Sequence, residues 1–400
     1  MMTKINHLSE IAAQFCGGKH VVFHASVSES AIVGRQLIDR CDLWPGLSVE
    51  TFMPGSPCPY LEDDRISVAT VMPGGHLRQA VNDGMVTVLR ESLFQQAQAY
   101  ATNRRRADVL VLQVSPANED GMVSLGPSVG IVPQVLAQQP FVVGVINRHV
   151  PQSNFTIPAA RLDAIIEFDR PLPEVIPSAS DTIDQQIADN VLTCLSNGIT
   201  IEVGMGGTPD AVMRALPRLD DIHIHTGLIN DAIMDVVSSG GLRAPVTTTM
   251  AVGSTGFYNW LDGNTDIDFQ PISETHDPDK LGQLPRFHTI NAALQLDLAG
   301  NVNAERIGDR IISCPGGLPD FAAGARRSAG GCNIIVLRST AGRDGKSTIV
   351  PTVNFQTLDG SLVDIIVTEH GIADLRGLNA SRRAAAIRSV AHPHSEIAYT

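Results

Sequence analysis

The chain has 400 residues, of which 43% are hydrophobic and 18% are charged, and its formal net charge is −13. This size and apolar content allow two large cores, whereas the acidic balance excludes the basic face that binding to a nucleic-acid backbone requires. No run approaches the ~18 apolar residues of a membrane span. The six cysteines form no Cys-x-x-Cys pair. We therefore expect a reduced, cytoplasmic protein with neither nucleic-acid nor membrane partners.

The first half of the chain is predicted to form an α/β domain. Residues 1–15 predict a short amphipathic helix, and later apolar runs predict strands. Several runs are apolar throughout, as in parallel strands buried on both faces. The three prolines in Arg170–Pro177 indicate a linker, so we expect an N-terminal domain at 1–178. The predicted strands are Val21–Val27, Asp108–Val114, Phe141–Ile146 and Ala164–Phe168.

The second half, 179–400, is predicted to form another α/β domain. It begins with the amphipathic helix Ile183–Asn197, which Gly198 ends, and it closes with the helix Asn379–Val390. The fold class is therefore α/β, with two open, mostly parallel domains and ligands at the carboxyl ends of their strands, between the domains. The predicted strands are Ile199–Val203, Ile222–His225, Thr289–Leu298, Asn333–Arg338, Thr348–Val353 and Val363–Thr368.

A glycine-rich turn, Gly204-Met205-Gly206-Gly207, separates an apolar strand from a helix start. We expect Thr208 to cap this helix with its side chain, Pro209 to be its first residue and Asp210 to lie in its first turn. Free backbone N–H groups and the helix dipole favour an anion at such a place, so the turn predicts a phosphate-bearing ligand. The alternative is that the glycines serve packing alone. The spacing fits neither the Rossmann nor the P-loop pattern.

A second glycine turn, Gly316-Gly317, again connects a strand to a helix. Together the two turns predict a site for a polyphosphate tail or an oxyanion hole made of backbone N–H groups. His223 and His225 share one face of a strand, which suits a metal pair, although hydrogen-bonded structural histidines are the favoured interpretation.

Carboxylates are the remaining candidate nucleophiles, since no Gly-x-Ser-x-Gly elbow or Cys-His pair supports Ser or Cys acyl-enzyme chemistry. A carboxylate is already ionised at neutral pH and can attack a thioester without a general base. For each candidate taken singly, a solvated or structural role is the alternative. The candidates beside turns are Glu50, Glu62, Glu119, Glu274, Glu305 and Glu369.

A set of motifs, in order from about residue 70 to the C-terminus, identifies a resemblance. Together they resemble the acetyl-CoA hydrolase/4-hydroxybutyrate CoA-transferase family of class I CoA-transferases. The first 70 residues match less clearly. The motifs include Glu119–Gly126, Gly204–Val212, Gly300–Glu305, Gly316–Phe321 and Val367–Ala373.

The resemblance implies that coenzyme A binds as a substrate, with no metal and no resident cofactor. It implies that Gly317 donates its N–H to the thioester oxyanion and is therefore catalytic. It also implies a homodimer or homotetramer. The residues that the resemblance implies for contact with CoA are Gly204, Met205, Gly206, Gly207, Thr208, Asn301, Gly316 and Gly324.

The chain departs from the family at His225-Thr226-Gly227. Family members with transferase chemistry have His-Thr-Glu there, and that glutamate becomes the glutamyl-CoA thioester. The His-Thr-Gly form resembles a subgroup of itaconate CoA-transferase-like proteins. We expect Gly227 to widen the pocket and to favour dicarboxylates of four or five carbons. By elimination we expect Glu62, in a proline-marked loop, to be the substitute nucleophile.

The sequence thus predicts a CoA-transferase that moves CoA from an acyl-CoA such as succinyl-CoA to a small acid, hydroxybutyrate-like or itaconate-like, through an enzyme-glutamyl-CoA thioester. One alternative is a thioester hydrolase, in which water takes the acyl group. The other is a CoA-binding subunit without chemistry of its own.

Overall fold

The computed structural model describes residues 3–176, 179–240, 242–342 and 344–395. The chain forms two compact units. Unit 1 comprises Met1–Ile176 and Thr247–Glu274, and unit 2 comprises Pro177–Val246 and Thr275–Thr400. The predicted domain boundary falls at residues 177–178, which lie outside the described residues.

One segment differs from the predicted domains, because Thr247–Glu274 belongs to unit 1 and not to the second domain. Backbone hydrogen bonds hold it there. Val129 N donates to Thr249 O at 2.9 Å, and Val175 N donates to Gly253 O at 3.0 Å. These bonds join residues far apart in sequence, so no local pattern could predict them.

Unit 1 is built on an eight-stranded sheet with the order β1-β8-β7-β6-β2-β3-β4-β5, and its neighbouring strands are parallel. Its strands are β1 Thr3–Lys4, β2 His20–Phe23, β3 Ser48–Thr51, β4 Ser67–Thr70, β5 Val86–Val88, β6 Val109–Val114, β7 Phe141–Ile146 and β8 Ala164–Glu167. Its helices are Ala31–Asp39, Arg78–Asn82, Leu93–Ala101, Val132–Leu136 and Thr255–Leu261.

Unit 2 is built on a second large sheet, whose strands within the unit have the order β11-β10-β9-β12-β13-β14-β15. The pairs whose register is defined are parallel, except for the last, antiparallel pair. The strands are β9 Thr200–Val203, β10 Ile222–His225, β11 Leu242–Thr248, β12 Phe287–Ala292, β13 Cys332–Val336, β14 Ile365–Thr368 and β15 Gly371–Asp374. The helices are Thr182–Thr193, Gly207–Ala215, Ala232–Ser238, Pro278–Leu281, Leu318–Arg327 and Ala380–Ser389.

Short elements complete the described chain. The helical turn Ile272–Thr275 lies at the boundary of the two units, and short 3₁₀ turns include Pro59–Glu62. The short strands are Met122–Ser124, Thr156–Pro158, Leu228–Ile229, Met250–Ala251, Ile267–Phe269, Gln295–Asp297, Val302–Asn303, Arg306–Ile307, Arg310–Ile311, Thr340–Ala341, Lys346–Ser347 and Ile349–Val350.

The predicted α/β class with mostly parallel sheets is confirmed. β7 and β10 have their predicted bounds. The residues of β7 form a continuous apolar run, as in a parallel strand buried on both faces, whereas in β10 isoleucines alternate with histidines. The predicted N-terminal helix is wrong. A two-residue strand is followed there by the 3₁₀ helix Leu8–Gln14, which departs from helical dihedral angles at Ile11.

The described part of the chain contains no helix that combines the length and the apolar character needed to cross a bilayer.

Candidate active site

The turn after β9 depends on its glycines. Gly204 N donates to Ile290 O at 2.9 Å, and a Cβ on Gly204 would lie 2.8 Å from Asn291 Oδ1. Gly206 has a φ of +127°, which side-chain-bearing residues rarely adopt. Met205 between them is 43% exposed. The chain can therefore reverse direction tightly at the carboxyl edge of the sheet of unit 2.

The helix after this turn begins earlier than predicted. It spans Gly207–Ala215 with Gly206 as its N-cap residue, and Asp210 lies in its first turn as expected. Thr208 does not cap the helix, and Pro209 is its third residue rather than its first. Thr208 is the second residue of the helix and so lies past the capping position, and its Oγ1 donates to Asp184 Oδ1 at 2.5 Å.

Negative charge predominates beside this turn. Asp184 is 2% exposed and pairs with Arg338 Nη2 at 2.6 Å, while Asp181 pairs with the same nitrogen at 2.9 Å. Hydrogen bonds from the Asp184 backbone and from Arg338 hold the pKa of Asp181 below its ordinary value. Two carboxylates share one guanidinium, so the group carries a net negative charge. This charge disfavours a phosphate at the turn.

The second glycine turn has the geometry of an N–H donor site. Gly316 has a φ of +56°, and Gly317 precedes the ten-residue helix Leu318–Arg327. Gly317 O accepts from Phe321 N at 2.9 Å. Gly317 is the N-cap residue of this helix, and no side-chain hydrogen bond caps the helix from this position. N–H groups at the start of a helix have no partner within the helix, so this turn is a suitable place for an oxyanion donor.

Cys314, just before this turn, is an inert thiol. It is 5% exposed, and burial raises its pKa to about 12. Because the thiolate is the nucleophilic form of cysteine, burial makes Cys314 a poor nucleophile.

Gly227 does not open a wider pocket, contrary to the sequence prediction. A Cβ on Gly227 would lie 2.8 Å from His276 Nε2 and 3.5 Å from Phe321 Cε2. A Cβ on Gly317 would also lie 2.8 Å from His276 Nε2. The imidazole of His276 therefore occupies the space that a side chain at 227 would need.

His276 is the central residue that sequence reasoning missed. It is 1% exposed, and its ring centroid lies 4.5 Å from that of Phe321. Nδ1 lies 2.8 Å from Thr275 Oγ1, whereas Nε2 is buried without a hydrogen-bond partner among the described residues. Burial lowers the pKa of His276 to about 3, with a smaller contribution from His225. No sequence motif joins His276 to the glycine turns.

The neighbouring strand fixes the position of Gly227. Thr226 Oγ1 donates to Val203 O at 2.9 Å, and His225 Nε2 donates to Thr275 O at 3.1 Å. His225 is thus a hydrogen-bonded structural histidine, as favoured. The described residues contain no cluster of three or more metal-ligating side chains.

Glu62 lies in unit 1, at the end of the 3₁₀ turn Pro59–Glu62. Its side chain is 59% exposed and pairs with Arg35 Nη1 at 3.4 Å. The Glu50 carboxylate, another candidate, is 2% exposed and accepts from Gln96 and Tyr100. Glu62 is thus more accessible than Glu50.

Asn301 and Gly324, predicted to contact CoA, both have structural neighbours in unit 2. Asn301 Nδ2 donates to Asp297 Oδ2 at 3.1 Å, and its Oδ1 accepts from Gly360 N at 3.0 Å. A Cβ on Gly324 would lie 2.4 Å from Leu281 Cβ. A turn and a helix contact explain these two residues, and their contact with CoA stays a prediction.

Comparison with known proteins identifies the family. Residues 2–177 match the acetyl-CoA hydrolase/transferase N-terminal domain, and residues 253–397 match the acetyl-CoA hydrolase/transferase C-terminal domain. The chain is 28% identical to the 4-hydroxybutyrate coenzyme A transferase of Clostridium kluyveri over 93% of this chain and 91% of the relative. It is 31% identical to the butyryl-CoA:acetate CoA-transferase of Anaerostipes caccae over 72% of this chain and 69% of the relative.

A solved structure of a CoA-transferase has the same fold as this chain. The 4-hydroxybutyrate CoA-transferase of Porphyromonas gingivalis aligns with a TM-score of 0.82 and 26% identity, over 98% of this chain and 94% of that one. The predicted resemblance, and with it an enzyme of the CoA-transferase type, is confirmed. The chain belongs to the acetyl-CoA hydrolase/transferase family.

Proposed function

We propose that the protein is an acyl-CoA:carboxylate CoA-transferase for small carboxylic or dicarboxylic acids. The observation that carries this proposal is the position of Gly317 as the N-cap residue of a ten-residue helix, in a chain of this family. An N–H in that position stabilises the charge that develops on a thioester oxygen, and one such donor contributes about 10²–10³ in rate in other enzymes.

Glu62 is the nucleophile in this proposal. Its carboxylate attacks the thioester carbon, the C–S bond breaks, and an acyl-glutamyl anhydride and CoA thiolate form. The thiolate attacks the glutamyl carbonyl, which releases the donor acid and leaves a glutamyl-CoA thioester. An acceptor carboxylate then repeats these steps in reverse. The exposure of Glu62 supports this role, and no carboxylate stands at 227.

The two glycine turns hold different parts of CoA in this proposal. Gly316 and Gly317 contact the thioester. Gly204–Gly207 and Thr208 contact the neutral pantetheine arm, since Asp181 and Asp184 would repel a phosphate there. This assignment modifies the sequence prediction of a phosphate at the first turn.

Thioester hydrolysis is the second candidate function, and Gly227 favours it, because the position of the family's nucleophile carries no carboxylate. Water would then take the acyl group. Acid release without an acceptor, at a rate that equals any exchange, would identify a hydrolase. A non-catalytic subunit would bind CoA, and its melting temperature would therefore rise, but it would show neither exchange nor hydrolysis.

The test is acyl exchange from succinyl-CoA to labelled acetate, butyrate, 4-hydroxybutyrate and itaconate, followed by borohydride reduction and mass spectrometry. We expect acceptor-dependent exchange and reduction of Glu62 to the alcohol. Glu62→Gln should lose both signals. Arg35→Gln is the matched control, because it removes the ion pair of Glu62 and keeps the carboxylate.

Near-normal exchange by Glu62→Gln would exclude Glu62 as the nucleophile. Sedimentation of the same protein tests the proposed homodimer or homotetramer, which would be contradicted by a monomer.

A further inference from the structure

The unpartnered nitrogen of His276 needs an explanation. Leaving a buried polar atom without a hydrogen bond costs about 1–3 kcal/mol. Most such atoms in folded proteins have a partner from the chain, from water or from a ligand. His276 Nε2 has none among the described residues, although the ring is almost completely buried.

Two glycines lie directly against this nitrogen. Gly227 and Gly317 are half-buried, and a Cβ on either one would lie 2.8 Å from Nε2. The imidazole therefore lies just beneath the surface that these two residues form. Nε2 therefore faces the backbone of the turn that contains Gly317 as well as that of Gly227.

We propose that His276 Nε2–H donates a second hydrogen bond, beside the Gly317 N–H, to the carbonyl oxygen of a bound acyl thioester. This inference rests on the proposed function for the identity of its ligand. It makes His276 a substrate-contacting residue of this chain. The tautomer follows when Thr275 donates its hydroxyl to Nδ1, at the observed 2.8 Å.

The surroundings favour a neutral donor over a base. The nearest ring is that of Phe321, and Leu281, Phe287 and Ala325 pack with it in one apolar cluster. Burial lowers the pKa of His276, so the neutral ring is the favoured form at neutral pH. A preorganised neutral dipole instead stabilises negative charge on the oxygen, and no proton changes place.

Kinetics with paired variants test the proposal. His276→Leu should lower kcat about 100-fold and change the KM for acyl-CoA less than threefold. His276→Gln, which keeps a donor, should recover part of that loss. His288→Leu is the matched control, since His288 is also buried in unit 2 but bonds to Arg286 O, at the start of β12. A kcat within threefold of the wild type for His276→Leu would overturn the proposal.

Nitrogen NMR of the wild-type protein keeps the test independent of folding in the variants. The probe is a ketone analogue of acetyl-CoA in which a CH₂ group separates sulfur from the carbonyl. We expect its binding to shift the Nε2 resonance of His276, and free CoA to leave it unchanged. An unmoved resonance with the analogue bound would overturn the inference.

The same two measurements separate this inference from the proposed function. A resonance shift in a protein that shows neither exchange nor hydrolysis would support the His276 contact and contradict the transferase proposal. Exchange without a resonance shift would support the transferase proposal and contradict the His276 contact. Failure of the analogue to bind at all would overturn both.

Discussion

Two buried histidines, one in each unit, show how the same side chain takes two different roles. His24 of unit 1 has Nε2 2.7 Å from Ser128 O and Nδ1 3.2 Å from Gln113 O. His276 of unit 2 has a partner at Nδ1 only. Both are 1% exposed, and burial lowers the pKa of both, to about 4 for His24 and about 3 for His276. Burial and pKa therefore do not distinguish them. The second nitrogen does: both nitrogens of His24 face a carbonyl oxygen, whereas Nε2 of His276 has no hydrogen-bond partner among the described residues.

The first prediction concerns the replacement of each histidine by leucine. The neutral ring of His24 donates its single N–H to one carbonyl oxygen, so His24→Leu leaves that oxygen without this partner, and we expect the free energy of unfolding to fall by about 1–3 kcal/mol. His276→Leu removes an unpaired nitrogen together with the bond between Nδ1 and Thr275 Oγ1, and it should lower the free energy of unfolding by about 1 kcal/mol or less. Urea denaturation measures both. Equal losses would contradict the distinction between the two residues.

A second prediction compares buried carboxylates. Burial raises the pKa of Glu202 in unit 2 to about 8, although Asn291 Nδ2 donates to it at 2.7 Å. Burial likewise raises the pKa of Glu29 in unit 1 to about 7, despite hydrogen bonds from Thr51 and Tyr60. The protonated forms are therefore favoured in the folded state.

The sign of the pH dependence follows. The pKa of Glu202 is higher in the folded chain, about 8, than in the unfolded chain, 4.5. The contribution of this carboxyl to stability is therefore fully present below pH 4.5 and is lost as the pH rises through about 8. Glu202→Gln stays neutral, so at pH 8.5 it should be more stable than the wild type by about 5 kcal/mol. At pH 4 the two should agree. A stability difference that does not change with pH would contradict this environment for Glu202.

A third prediction tests the contact between Gly227 and His276. Gly227→Ala places a Cβ 2.8 Å from His276 Nε2, so it should lower the free energy of unfolding by about 2 kcal/mol. The same change in a His276→Ala background should cost less than about 0.5 kcal/mol, because the opposing ring is absent. Double-mutant analysis by urea denaturation gives the coupling energy. Additive losses would show that the two residues do not touch.

The smallest expected effect concerns the ion pair between Arg35 and Glu62. Both side chains are more than half exposed, and such pairs contribute about 0.2–1 kcal/mol. Arg35→Gln should therefore lower the melting temperature by no more than about 2 °C. A larger loss, measured by calorimetry, would show that Glu62 is held for structural reasons and would weaken its assignment as a mobile nucleophile.

The sequence was sufficient for the parallel sheets, because their strands are marked by local apolar runs such as Phe141–Ile146. It was insufficient for β3, β4 and β5, where polar residues such as Glu50 interrupt the apolar pattern. The prediction that Thr208 caps the helix was also wrong, because the helix begins at Gly207 with Gly206 as its N-cap residue. The Thr208 hydroxyl donates to Asp184, which lies 24 residues earlier in the chain.

The candidate site was predictable only in part. The glycine turns have local signatures, and the structure provides the backbone reason for Gly206 and Gly316. The absent side chain at 227 was visible in the sequence, but its consequence was not. His276 lies 49 positions further along the chain than Gly227 and shares no motif with it. Only the fold places its ring there.

The most direct test of the account is a crystal structure of the protein bound to the ketone analogue of acetyl-CoA. We predict that the carbonyl oxygen lies about 2.7–3.1 Å from both the Gly317 nitrogen and His276 Nε2. A carbonyl oxygen that contacts neither nitrogen, with His276 still closed off behind Gly227, would contradict the account.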